Sequence, residues 1–283
     1  MKKRWLIFSL ALITLFSCKK KENEENDYDH SVLRDFAMLN SMSNDAQNAG
    51  EEGLARSVED PSGKRGRLGL FTGCATITMD RIWPDTIFPR TITVDFGTGC
   101  FGSDNRYRKG KLIILATGRY REEGSVITIT TENYSVDNIQ VEGTKVIRNK
   151  GLNKNKQMHF EVELVNYLIT RQDSKTIRYN GKHNRIWIEG FETTLYSDGI
   201  QGVKDDVYAI NINGSGVSVN GRSFTSKSLK DLIARNDCNY ITEGILEVTP
   251  SNANARRLDW GTGQCDNLAT FSLGSYSAVI QLR

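Results

Sequence analysis

The sequence predicts an all-β protein, an antiparallel meander of long hairpins forming a sandwich or a strongly curved sheet, with a short N-terminal helix before it. Three observations carry this. Apolar and polar residues alternate with period two through residues 91–96, 125–130 and 158–164, the spacing of a strand with one buried face. Turn-forming residues separate such runs, so that residues 133–143, 166–177 and 216–224 read as hairpins, with Asn220-Gly221 as a type I′ turn signal. The composition, 38% hydrophobic and 9% aromatic over 283 residues, suffices for a real core and excludes collagen-like or wholly disordered chains.

The chain opens with a basic segment, Lys2, Lys3 and Arg4, followed by a mostly apolar run over residues 5–17. As a helix this run reaches about 20 Å, short of a hydrocarbon core near 30 Å, so residues 1–17 read as a signal peptide and not a permanent span. The three basic residues equal the whole net charge of +3. The chain without them is neutral, and charge makes no case for a nucleic-acid partner.

Leu15-Phe16-Ser17-Cys18 resembles a bacterial lipobox, with Phe16 where a small residue or serine is more usual. The resemblance implies that Cys18 becomes a lipidated, palmitate-bearing N-terminus, since several acyl chains on one cysteine hold a protein to a membrane effectively permanently. Residues 18–69 are read as this anchor, a solvated charged tether and a short amphipathic helix. Val32, Leu33, Phe36 and Leu39 supply the helical spacing. A lysine followed by acidic residues beside the anchor is similar to the surface-export signal of Bacteroidota lipoproteins, although three lysines, Lys19 to Lys21, blur the match. Residues 60–69 read as a hinge, and the β-rich domain is expected over residues 70–283. Within it, residues 226–236 suit either a helical turn or a bent edge strand.

Asp-aromatic-Gly-Thr-Gly occurs twice, at residues 95–99 and 259–263, inside related segments 74–105 and 238–267. Each segment begins at one cysteine and contains a second, Cys74 with Cys100 and Cys238 with Cys265, and an Asp-Asn pair follows. In an oxidising compartment four cysteines form two disulfides, most economically within each repeat, although three pairings are formally open. Asp95 and Asp259 read as acceptors for the glycine turns. Calcium ligation by Asp95, Asp104, Asp259 and Asp266 is the alternative, but the dense calcium-loop spacing is absent.

Catalytic patterns are sparse. The three histidines, His30, His159 and His183, lack metal-ligand spacing, and no nucleophile elbow, phosphate loop or zinc-helix motif occurs. No catalytic residue, metal or cofactor is assigned. Glu161, Glu163, Asp205 and Asp206 are the carboxylates that glycoside hydrolysis would require to converge. Trp187 is the candidate ligand-binding residue. If Ile186 and Ile188 face the core, its indole is partly exposed for stacking on a sugar or partner; otherwise it packs beneath arginine stems. Asp85-Thr86-Ile87 resembles a Bacteroidota O-glycosylation acceptor.

The lipobox, the charged tether, the duplicated segments and the Asn-Tyr hairpins together resemble an uncharacterised lipoprotein family of the Bacteroidota over nearly the whole chain. That resemblance implies an outer-membrane, lipid-anchored protein on the periplasmic or cell-surface side. The functional expectation is a non-catalytic binding or scaffolding β domain with a glycan or an envelope protein as partner. The alternative is a carbohydrate-binding or carbohydrate-active surface lipoprotein. Non-reducing peptide mapping is expected to recover Cys74 joined to Cys100 and Cys238 joined to Cys265; a Cys74–Cys238 peptide would overturn the pairing.

Overall fold

The computed structural model describes residues 30–59, 69–80 and 87–282, with the side chain of Glu59 excepted. The signal peptide, Cys18, the tether, most of the hinge and Asp85-Thr86 therefore lie outside the described residues. A long helix, α1 (Ser31–Glu59), precedes strands β1 (Thr76–Met79), β2 (Arg90–Asp95), β3 (Cys100–Phe101), β4 (Tyr107–Ala116), β5 (Val126–Val136), β6 (Ile139–Leu152), β7 (Met158–Thr170) and β8 (Thr176–Glu189). Two single-turn helices, α2 (Leu195–Asp198) and α3 (Gln201–Lys204), interrupt the series before β9 (Val207–Val217), β10 (Ser223–Arg235), β11 (Ile241–Pro250), β12 (Arg256–Thr262), β13 (Leu268–Leu273) and β14 (Tyr276–Gln281). Every pairing is antiparallel, and the sheet runs from β1 to β14 in chain order, with short β3 paired to β4 beside the path. The first and last strands do not pair with each other, so the sheet is open.

The period-two runs place their apolar residues inside as expected. Ile92 and Val94, Ile127 and Ile129, and Phe160, Val162 and Leu164 are all buried. What they pack on is the helix. Helix α1 touches β1, β2, β4, β5 and β6 on one side and β11 and β12 on the other. Phe36 meets Tyr179 of β8 and Phe224 of β10 at centroid distances of 5.3 and 6.1 Å. The meander is therefore a strongly curved sheet wrapped around a central helix.

The N-terminal helix expected within residues 18–69 is present, and the sheet encloses it. The helix is 29 residues long and is the element on which the sheet packs. Val32, Leu33, Phe36, Leu39, Met42, Ala46, Ala49 and Leu54 are buried, but so are Asp35, Asn40, Ser43, Asp45, Gln47 and Glu52. A helix enclosed on most of its circumference carries no clean apolar stripe, which is why its spacing understates its length and burial. Two glycines allow close approach of the sheet: a Cβ added at Gly53 would lie 2.3 Å from Val94 Cγ2, and one at Gly50 2.6 Å from Ile129 Cδ1.

The turns are built from the expected residue types in a partly different way. Asp137 and Asn138 join β5 to β6 with φ values of 51° and 64°, the paired left-handed residues of a type I′ turn. At Asn220-Gly221 only the glycine has positive φ, 74°. There Gly221 N donates to Ser218 O and Ser218 N donates to Arg222 O, giving a longer loop whose left-handed residue is the glycine and not the expected type I′ pair. Residues 226–236 fall almost wholly in β10, a bulged strand held between β9 and β11, neither helix nor edge.

Both disulfides form within their repeats, Cys74–Cys100 and Cys238–Cys265, with Cα separations of 6.0 and 5.8 Å. Loops of 26 and 27 residues correspond to about 3.5 kcal/mol each in the chain-entropy account. The duplicated turns share their chemistry. Asp95 Oδ1 accepts from Gly97 N at 2.8 Å and Asp259 Oδ1 from Gly261 N at 2.9 Å, and both glycines have positive φ. Asp104 Oδ1 accepts from Arg106 N and Asp266 Oδ1 from Leu268 N, so all four aspartates serve their own turns.

The polar groups that α1 carries into the interior meet matching partners on the sheet. Asp45 accepts from Arg108 Nε and Nη2 at 3.1 and 2.5 Å and from the Tyr134 hydroxyl at 2.6 Å, and Arg106 Nη1 lies 3.2 Å away. Burial alone would raise the Asp45 carboxyl, but Arg108 and Arg106 outweigh it and hold it below its ordinary value. Its carboxylate therefore stabilises the fold above the ordinary pKa of 3.8 and ceases to do so as pH falls through its lower native value. Asp45→Ala removes the buried anion shared by Arg108 and Arg106, leaving the one with Asp104 and the other with the more exposed Asp137, and is expected to lower the unfolding free energy by about 3 kcal/mol. Glu163→Ala, which breaks the solvent-facing pair with Arg148, is expected to cost less than about 1 kcal/mol. Urea titration of both variants at neutral pH is the check.

Candidate functional site

One stripe of α1 escapes the sheet. Arg34, Ala37, Met38, Ser41, Asn44, Asn48, Glu51 and Ala55 recur at helical spacing and are half-buried or exposed, whereas their neighbours are buried. The stripe floors two cavities. Over its N-terminal part lies a cleft of about 1020 Å³, walled by the β3–β4 turn (Asp104, Arg106), the β5–β6 turn (Asp137), the β7–β8 turn (Arg171, Asp173), and the β10–β11 connection from Arg235 to Tyr240, with Trp260. Over the C-terminal part lies a smaller cavity of about 230 Å³, lined by Glu51, Glu52, Tyr120, Arg121, Trp187, Leu195, Val203, Asp206 and Tyr208.

Asn48 and Asn236 line both. Asn48 Nδ2 donates to Asn236 Oδ1 at 3.1 Å, Arg185 Nη2 donates to Asn48 Oδ1 at 3.1 Å, and Asn236 Nδ2 donates to Asp206 Oδ2 at 3.3 Å. This chain of side chains stands where cleft and cavity meet. Asn236 is two residues from Cys238, so the Cys238–Cys265 bridge braces the segment carrying it.

The cleft is polar and internally charge-balanced. Arg106 pairs with Asp45 and Asp137 at 3.2 and 2.9 Å, and Arg171 with Asp35 and Asp173 at 3.6 and 3.3 Å. Guanidiniums and carboxylates on the turn tips are thus held in place while keeping hydrogen-bonding capacity toward the cleft. Arg34 is exposed at one end, and the His30 ring lies tilted beside Phe271 at 5.7 Å.

Trp187 lies on the inner face of β8, 4% exposed, with His183 and Arg185, while Ile186 and Ile188 are half-buried on the other face. Of the two alternatives, the structure takes the indole packed beneath an arginine and not the partly exposed one. Arg121 sits over its ring at 4.5 Å, and Phe191 and Tyr208 have centroids 5.4 Å away. On the same face Arg185 reaches the helix, with Nη1 3.3 Å from Glu51 Oε1, so this face carries both the large indole and a charge that finds its partner inside, while the two isoleucines keep partial cover outside.

The four carboxylates considered for hydrolysis do not converge. Glu161 and Glu163 face outward, paired with Lys150 at 3.5 Å and Arg148 at 3.3 Å. Asp205 is exposed and accepts from the Thr193 hydroxyl at 2.8 Å, and only Asp206 turns inward to line the smaller cavity. Sequence reasoning did not single out Glu51, Tyr120, Arg121, Asn48 or Asn236 as site residues. The one local signal was that His183, Arg185 and Trp187 share a strand face. Among the described residues no three His, Cys, Asp or Glu side chains gather to hold a metal ion.

Electrostatics set this interior apart. Burial, reinforced by Asp205 and Glu51, pushes the Asp206 carboxyl up to about 8. Burial with repulsion from Lys145 pushes the His183 imidazole down to about 3. Lys145, itself buried, donates to Ser43 O at 2.7 Å and Gln47 Oε1 at 2.9 Å. Burial and Arg185 lower its ammonium well below the ordinary value.

Compared with protein-family models, curated proteins and solved structures, the chain matches none.

The His183 shift has a definite sign. The unfolded chain gains a proton below the ordinary imidazole value near 6.5 that the native state refuses until about 3, so stability falls as pH drops through this window. Between pH 7 and pH 5 the loss through this group is about 2 kcal/mol. His183→Leu is expected to lack that part of the acid destabilisation, as measured by urea titration at the two pH values.

Proposed function

We propose that this is a lipoprotein anchored through Cys18 in the outer membrane, whose sheet domain binds a partner protein of the envelope without transforming it. The observation that carries the binding reading is the cleft beside α1. It is about 1020 Å³ in volume, and its walls come from turns far apart in sequence. Two disulfides and a network of ion pairs brace those turns, a pre-organised arrangement that lowers the ordering cost of binding. Alternating fixed charges on its rim suit a polar protein segment better than a lipid chain or a single-sign polyanion. The ion pairing of Glu161 and Glu163 on the outer face favours binding over hydrolysis.

The anchor reading and the cleft support each other in position. Fully extended, the chain from Cys18 to Ser31 reaches at most about 45 Å, and His30, Ser31 and Arg34 line the cleft. A partner in the cleft is thus held close to the bilayer that carries the anchor. Among the described residues no helix is long and apolar enough to cross a membrane, and in this reading attachment rests on Cys18 alone.

Two measurements test this. Metabolic labelling with palmitate is expected to mark the wild-type protein in the outer-membrane fraction and to fail with Cys18→Ala; an unlabelled wild-type protein would remove the anchor. A photo-cross-linking residue in place of Met38, in the cleft, is expected to yield a discrete adduct in intact cells, and one in place of outward-facing Leu152, 57% exposed, is not. Equal labelling from both positions, or none from Met38, would overturn the cleft as the binding surface.

A further inference from the structure

The open sheet has two edges, and they differ. Among the described residues β1 pairs only with β2, and β14 only with β13. Strand β1 is four residues long and is followed at once by Asp80. Strand β14 has six residues in unbroken register with β13, without a bulge. Proteins ordinarily blunt such an edge with a charge, a proline, a bulge or a very short strand. β1 follows that rule and β14 does not. In a chain of which 25% is charged, residues 267–282 hold no Lys, Arg, Asp, Glu or Pro, so the whole β13–β14 hairpin is uncharged.

The ladder shows which backbone groups face outward. Leu282 N donates to Asn267 O, one step beyond the Leu268–Gln281 pair of the register. Bonded residues alternate along an antiparallel pair, so Ala278 and Ile280 turn their N–H and C=O toward β13, while Ser277, Val279 and Gln281 turn theirs to the outer edge. These three residues are exposed, Val279 by 68%, and Leu268 beside them on β13 is 45% exposed. Backbone donors and acceptors with aliphatic cover and no charge suit the addition of another strand.

We infer that β14 is a dimer edge, at which a second copy of this chain adds its own β14 antiparallel, about a two-fold axis through Val279. The strand is its own complement there. Val279 meets Val279 of the partner subunit, and Ser277 meets Gln281 of the partner subunit. These are bonded pairs, giving about six backbone hydrogen bonds, and the two valines cover each other on the outer face. The uncharged hairpin is what allows one surface to meet itself, since like charges opposed across strands repel. Pairing β14 with β1 of another copy would leave a usable edge at each end and grow into filaments, whereas the two-fold arrangement closes. So short a ribbon buries less than the ~1,200 Å² of a standard interface, which sets the expected dissociation constant in the micromolar range. None of Ser277, Val279 and Gln281 lines the cleft, so the dimer needs neither the cleft's occupant nor lipidation of Cys18.

The test is register-specific disulfide formation in the full-length protein at about 100 μM in mild detergent, well above a micromolar dissociation constant. A gentle oxidant and non-reducing electrophoresis supply the readout, with the wild-type chain as the background for Cys18. A bonded pair sets Cα atoms about 5.5 Å apart, within disulfide reach, so Val279→Cys is expected to give a covalent dimer. Ser277→Cys and Gln281→Cys each lie about 14 Å from their own copies, four residues at 3.4 Å. Each is expected to stay monomeric alone and to cross-link when the two are mixed. In a second arm, read by sedimentation, the wild-type protein is expected to be dimeric, Val279→Lys and Val279→Glu each monomeric, and their mixture dimeric again. No dimer from Val279→Cys, equal cross-linking from all three single variants, or a monomeric wild-type protein would overturn the dimer edge. Filaments, or charged variants that dimerise like the wild type, would overturn it as well. Its failure leaves the cross-linking result at Met38 untouched.

Discussion

The structure depends on matching the polar groups of one buried helix. A sheet that curls around α1 encloses nearly its whole circumference, so side chains that an ordinary amphipathic helix would give to water must find partners inside. Asp45 receives Arg108 and Arg106, Gln47 receives Lys145, Glu51 receives Arg185, and Glu52 caps the backbone of residues 70–72. Each partner comes from a different strand or turn, so these pairs specify how the helix is rotated and how far along the sheet it sits. Apolar packing by Phe36, Leu39 and Leu54 supplies burial but tolerates sliding more readily than a buried ion pair does.

The same enclosure creates the cleft and the smaller cavity beside the helix. Since the sheet stays open, one stripe of the helix remains uncovered and becomes the floor of a polar cleft and of a smaller aromatic cavity. Arg185, Asn48, Asn236 and Asp206 divide the two through successive hydrogen bonds. Both disulfide-braced repeats border this region, with Asp104 and Arg106 following Cys100, and Asn236 preceding Cys238. In each, a covalent link and an aspartate-capped glycine turn stiffen the backbone where side chains of the cleft emerge. The duplication thus serves two walls of one cleft.

Burial of charge in this interior also ties stability to pH from opposite directions. His183 makes the fold weaker as acid is added below about 6.5, because only the unfolded chain takes up its proton. Asp206 holds its proton to about 8, so its contribution weakens the fold as pH rises from the ordinary carboxyl value toward that point. Near neutrality His183 is neutral, the form that burial prefers, while Asp206 is divided between its forms.

What the sequence by itself determined is local and covalent. Period-two alternation grouped Ile92 with Val94, and Phe160 with Val162, on one apolar face of their strands, because a strand's geometry converts spacing directly into sidedness. The paired Asp-aromatic-Gly-Thr-Gly segments revealed both the cysteine partners and the role of Asp95 and Asp259, because those bonds close within short stretches of chain. Tertiary structure alone decided the rest. The length and burial of α1 were obscured by its Asp45, Gln47 and Glu52, whose partners lie between 18 and 98 residues away. Trp187 shares its inward face with Arg185, whose partner Glu51 is 134 residues distant. Strand alternation states that two faces differ but not which one is inside, and here contacts across the fold, with Glu51, Tyr120 and Tyr208, made that choice.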